Sequence, residues 1–173
     1  MAFTPETGTG VPEANSYCSV EYADAYFSLR GREAWAALTL ERKQAALIDA
    51  TDYINVRWGE RFVGHKYSET QGLPWPRKMC HSTEPYYPDQ LLRATCEYGI
   101  RASVSPLMPD PVVDETGRMP SLTREKLGPL EEEYRWPAPN TGASVMIYRP
   151  YPQADTLMYG LLGPNMLSGR VIR

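Results

Sequence analysis

The stretch from Thr39 to Trp58 holds the clearest helical period in this 173-residue chain, and it dictates what the remainder must supply. Its apolar positions Leu40, Leu47, Ile48, Thr51, Ile54 and Trp58 recur in helical register, with Thr39 placed as an N-cap. Arg42, Lys43, Asp49, Asp52 and Arg57 fall on other faces. A helix with such a stripe is stable only when other elements cover it. Ser19 can cap a first helix whose Ala23, Tyr26, Phe27 and Arg30 share a face. Glu21 suits the positive end of its dipole, and Gly31 can close it in a left-handed conformation. A short helix from Arg32 to Leu38 anchors on Trp35. A fourth runs from Asp89 to about Ser105, where Pro106 stops it. Its Leu91, Leu92, Thr95, Cys96, Gly99 and Ala102 form a broad stripe with small residues that permit close approach of another helix.

The sixteen prolines and thirteen glycines concentrate outside these helices. Residues 1–13 read as an N-terminal arm. Gly64, Gly72, Pro74, Pro76, Pro85 and Pro88 preclude a long helix between Gly59 and Pro88. Leu73 to Arg77 is expected to be extended, because a residue preceding proline is driven out of the helical region. Trp75, between two prolines, then presents a rigid indole either to its own core or to a neighbouring subunit. Pro106 to Pro120 reads as an irregular linker. From Ser121 to Trp136 the pattern becomes strand-like, with Leu130, Glu132, Tyr134 and Trp136 alternating with Glu131, Glu133 and Arg135. Gly128-Pro129 interrupts it as a turn or a bend. A last short helix is expected from Pro152 to about Leu162, ended by Gly163-Pro164.

The expected fold is therefore mainly α: a small helical bundle with a short β-hairpin element and extended N- and C-terminal arms. The helical domain spans 14–136, with the β element near 121–136, and 137–173 forms a C-terminal arm with its short helix.

Several function classes are disfavoured by what the chain lacks. Net charge is −3, which gives no general cationic surface for avid binding to nucleic acid. No apolar run approaches about 18 residues and the N-terminus has no signal-peptide pattern, so a cytoplasmic, non-membrane protein is expected. Cys18, Cys80 and Cys96 have no framework spacing and read as reduced thiols. Cys80-His81 and His65 lack a fourth ligand for zinc. There is no G-x-S-x-G elbow and no phosphate-binding glycine loop, and Gly8-Thr-Gly10 lacks the strand and helix that would make it one. Glu131, Glu132 and Glu133 are consecutive on a strand-like segment, so they alternate faces and read as a solvated strip. No cofactor, no metal and no enzymatic activity are expected.

A succession of short motifs carries a family resemblance. Ala14-Asn-Ser-Tyr17, Ala23-Asp-Ala-Tyr-Phe27, Arg30-Gly31 and Trp35 come first. Lys43-Gln-Ala-Ala-Leu-Ile-Asp-Ala-Thr-Asp-Tyr-Ile54, Trp58, Gln71-Gly-Leu-Pro-Trp-Pro-Arg77, Pro88 and Lys126-Leu-Gly-Pro-Leu130 with Tyr134 follow in order. Across about residues 14–134 this order resembles the small head–tail adaptor, or neck connector, proteins of tailed bacteriophages. Such sequences are also described as resembling a primosomal single-stranded-DNA-binding protein.

The adaptor resemblance implies a homo-oligomeric ring, dodecameric, in the virion neck between the capsid portal and the tail. Partners would be the portal protein and tail or nozzle proteins, and genomic double-stranded DNA would pass through without sequence-specific binding. The implied portal or subunit contacts are Trp75, Tyr151, Leu157, Leu161, Leu162, Met166, Leu167, Val171, Ile172 and Arg173. Glu131, Glu132 and Glu133 would face the channel, where negative walls repel phosphates. The alternative is a single-stranded-DNA-binding accessory protein of phage replication. Its sequence support is one cluster, Arg57, Arg61, Lys66, Arg77 and Lys78 around Trp58, Tyr67 and Trp75, in which aromatic rings could stack on bases.

Overall fold

Two hydroxyl caps set the helical framework in the computed structural model, which describes residues 2–79, 82–110, 122–127, 130–135 and 148–163. Ser19 Oγ accepts the Tyr22 N–H at 3.2 Å and opens α1 (Val20–Ser28). Thr39 Oγ1 accepts the Arg42 N–H at 3.4 Å and opens α3 (Leu40–Trp58). Between them Gly31, at φ +62°, ends α1, and the chain re-enters a single turn, α2 (Glu33–Ala36). A 3₁₀ turn (Gly59–Arg61) leads to a two-stranded hairpin, β1 (His65–Lys66) and β2 (Arg77–Lys78). Then follow α4 (Asp89–Ala102), the strands β3 (Leu122–Leu127) and β4 (Leu130–Arg135), and α5 (Pro152–Tyr159).

The chain divides into two units. One takes the residues up to 107 and those from 149 onward; the other takes 108–148. In the first, α1, α3 and α4 enclose a core of Val20, Ala23, Phe27, Trp35, Leu47 and Cys96. Gly99 permits the α3–α4 approach, since a Cβ there would meet Leu47 Cδ2 at 3.2 Å. The Trp35 indole N–H is satisfied by Asp24 at 2.7 Å, and Lys43 pairs with the same carboxylate at 2.9 Å. Leu40 departs from its expected place in the α3 stripe: it lies exposed in the first turn, ahead of the part of α3 that packs on its neighbours.

The described residues of both expected arms pack against this unit. Residues 2–16 fold back on themselves through the Glu6 N–H to Ser16 carbonyl bond (2.8 Å) and the Asn15 N–H to Thr4 carbonyl bond (2.9 Å). The buried Glu6 carboxylate accepts the backbone N–H groups of Gly8, Gly10 and Val11, each at 2.9 Å. The acid at position 6 thus turns a flexible composition into a closed loop.

At the other end α5 packs on α4, burying Ala154, Met158 and Leu161. Asp155 locks it: Oδ1 and Oδ2 accept both Arg57 guanidinium nitrogens at 2.9 Å, Oδ1 accepts the Tyr98 hydroxyl at 2.5 Å, and Oδ2 accepts the Tyr151 N–H at 3.0 Å. Tyr151 and Leu161, expected at a portal or subunit contact, are therefore core residues of their own unit. Leu157 and Leu162 are half-buried. Met166, Leu167, Val171, Ile172 and Arg173 lie outside the described residues.

In the second unit β3 and β4 form the expected hairpin, antiparallel from Leu122 opposite Arg135 to Leu127 opposite Leu130. Glu131 sits opposite Lys126 and Glu133 opposite Arg124, while Glu132 is opposite Glu125.

Candidate nucleic-acid interface

The basic and aromatic residues between Arg57 and Lys78 are divided by the fold into a spent set and an exposed set. Arg57 is bound to Asp155, so its charge closes the core. Its pKa is raised, the neighbouring Tyr53 and Asp155 outweighing the burial that opposes them. Trp58 is buried beneath two guanidiniums, with the Arg57 carbon at 4.4 Å and the Arg61 carbon at 5.6 Å from the ring centre. Its indole N–H donates to the Tyr98 hydroxyl at 3.2 Å.

Arg77 is a clamp on its own loop. Its Nε donates to the Val63 carbonyl at 2.7 Å, Nη1 to Pro74 at 3.2 Å and Nη2 to Gly64 at 2.5 Å. Burial pulls its pKa below the usual guanidinium value. Trp75 is 0% exposed and meets Phe62 and Tyr86 edge-on at 5.4 and 6.1 Å. Of its two expected placements the structure shows packing on its own core and not on a neighbouring subunit: the loop between β1 and β2 turns the indole inward. The Trp75–Pro76 peptide is cis.

What remains outside is the β1–β2 hairpin. His65 pairs with Lys78 and Lys66 with Arg77 in the antiparallel register. His65, Lys66 and Lys78 are exposed, and Tyr67 is half-buried beside them. The Lys78 ammonium stands 5.1 Å from the centre of the Tyr67 ring, a cation–π arrangement at the surface. Tyr86 continues the small sheet by exchanging backbone bonds with Arg77 (3.1 and 2.8 Å), and its ring is exposed. Glu60, Glu69 and Glu84 are exposed on the adjoining loops and moderate the positive field.

Of the eight residues in the sequence cluster, the hairpin thus keeps Lys66, Tyr67 and Lys78 for a ligand, with Arg61 half-buried at its edge. His65 and Tyr86 join them. Neither a metal-holding group of His, Cys, Asp and Glu nor a helix long and apolar enough to span a membrane occurs among the described residues.

An amine set beside a half-buried ring can take a phosphate and a base from one strand. No curated protein and no solved structure matches the chain. The family described as "Putative DnaT-like ssDNA binding protein" matches it over residues 1–173, and the chain belongs to that family.

Proposed function

We propose that this protein binds single-stranded DNA, with a short run of nucleotides crossing the β1–β2 hairpin. Membership of the family carries the reading. The hairpin supplies the means: Tyr67 offers a face to a base, while Lys66 and Lys78 meet the flanking phosphates. A net charge of −3 makes the binding modest, and the number of phosphates contacted sets its salt dependence. Fluorescence anisotropy with a labelled thymidine oligonucleotide tests this. Tyr67→Ala should weaken binding by about 1–3 kcal/mol. Lys66→Ala with Lys78→Ala should flatten the slope of log affinity against log salt by about 1.4, or about 0.7 for each lost phosphate contact. A wild-type protein that binds no oligonucleotide at low salt overturns the reading.

A second reading is supported by another observation. Leu29 is 87% and Val104 83% exposed, and Leu40, Val56 and Tyr159 are more than half exposed. Apolar side chains of this size suit coverage by sister copies or a partner protein. This is the basis for the head–tail adaptor: a ring joining portal to tail components around the DNA exit, with Glu131, Glu132 and Glu133 toward the channel. Native mass spectrometry of the protein alone and mixed with portal separates the two. A closed ring, or assembly only on the portal, supports the adaptor; a monomer that ignores the portal overturns it.

A further inference from the structure

A second basic surface lies at the end of the helical unit where α4 finishes. Arg32, Arg101 and Arg149 line a hollow of about 430 Å³ together with Ile100, Val104, Ser105 and the Pro150–Pro152 segment. Its volume falls within the range of about 300–1,000 Å³ common to small-ligand sites. The one acid in the lining, Glu97, is buried and already engaged: it accepts the Tyr26 hydroxyl at 2.9 Å and pairs with Arg101 at 2.9 Å. Arg101 is held by that carboxylate, by the Glu97 carbonyl, and by Gln153 Oε1 at 3.4 Å, so its guanidinium is oriented before any ligand arrives. Arg32 and Arg149 are exposed. The Arg149 backbone is pinned where Arg57 donates to its carbonyl at 3.4 Å, and its guanidinium carbon lies 5.9 Å from the Tyr151 ring centre.

Three arginines against one engaged carboxylate leave the lining net positive, and Ile100, Val104 and two prolines give it apolar walls. A phosphate alone would use the arginines but not those walls. An acidic peptide would use the charge, yet it lacks a flat apolar group for them. A nucleotide unit uses both, because guanidinium forks match phosphate oxygens and the sugar and base are apolar on their faces. We infer that the Arg32–Arg101–Arg149 hollow takes a phosphodiester-linked nucleotide of a single strand. This rests on the single-stranded-DNA reading and extends it by a second contact site.

The test compares two double variants, Arg32→Ala/Arg149→Ala and Lys66→Ala/Lys78→Ala, by anisotropy with a labelled thymidine oligonucleotide between about 50 and 200 mM salt. Both altered arginines are exposed, so the melting temperature should stay at the wild-type value. The arginine variant should bind roughly tenfold or more weakly at the lower salt, with a slope shallower by about 1.4. The Nε–Hε resonances of Arg32, Arg101 and Arg149 in the wild-type protein should move on titration with the oligonucleotide, which reads the site without any substitution. Binding that the lysine variant loses and the arginine variant keeps, with those resonances unmoved, overturns this inference and leaves the hairpin reading standing. A wild-type protein that binds no oligonucleotide overturns both. Resonances that move with a poly-glutamate peptide and not with DNA overturn the nucleotide as occupant.

Discussion

The junction of α3 with α5 and the β1–β2 hairpin are built from the same residue types and do opposite things with them. At the junction Arg57 lies among Tyr53, Trp58, Tyr98 and Tyr151, and Asp155 accepts from Arg57 and Tyr98. At the hairpin Lys78 stands over Tyr67, and no ion pair ties it among the described residues. Buried acceptors make the difference. A cation beside aromatic rings becomes structural when such acceptors complete its bonds, a carboxylate at Arg57 and loop carbonyls at Arg77, and Lys78 has neither among the described contacts.

Breaking the buried side should cost most. Trp75→Ala removes a fully buried indole and should lower stability by about 3–5 kcal/mol in urea denaturation. Tyr67→Ala, at the surface, should cost no more than about 1 kcal/mol. Equal losses would erase the distinction between the two regions.

Asp155→Ala comes next. It strips Arg57, the Tyr98 hydroxyl and the Tyr151 N–H of their shared acceptor, and should destabilise by about 3 kcal/mol. Asp155→Asn keeps an acceptor oxygen and should cost less, so a denaturation midpoint for Asn as low as that for Ala would mean the charge alone matters.

The smallest effect is alkaline. Burial pushes Tyr53 and Tyr26 up to about 12, and the Glu97 carboxylate adds to the rise at Tyr26. The folded state holds these protons more tightly than the unfolded chain, whose tyrosines titrate near 10. Their contribution is complete below about pH 10 and is lost as pH rises through about 12. Stability measured across that window should fall, and Tyr26→Phe should make the fall shallower.

The helices were open to sequence reasoning because their causes are local. Ser19 and Thr39 cap where the hydroxyl meets an unsatisfied N–H two or three residues on, and Gly31 and Pro106 mark the ends of α1 and α4 from their own backbone restrictions. The hairpin of β3 and β4 was read from alternation. The candidate interface was read less well. Within the sequence cluster, Trp58 and Trp75 are turned inward, and Arg57 and Arg77 are consumed by Asp155 and by loop carbonyls. Each of those partners is set by folding and not by neighbours in sequence. The same holds for the arginine hollow, whose members come from positions 32, 101 and 149.

Sequence alone determined the helical periods, the caps, the proline-rich interruptions and the placement of basic and aromatic residues in one stretch, because each follows from steric and hydrogen-bonding rules that act over a few residues. Tertiary structure decided which of those side chains are spent and which face solvent. It also decided that residues 2–16 and 151–162 pack against the helices of their own unit. The reason is that burial and charge pairing join residues far apart in the chain, as Arg57 and Asp155 are at 98 positions, and no local pattern encodes such a partner.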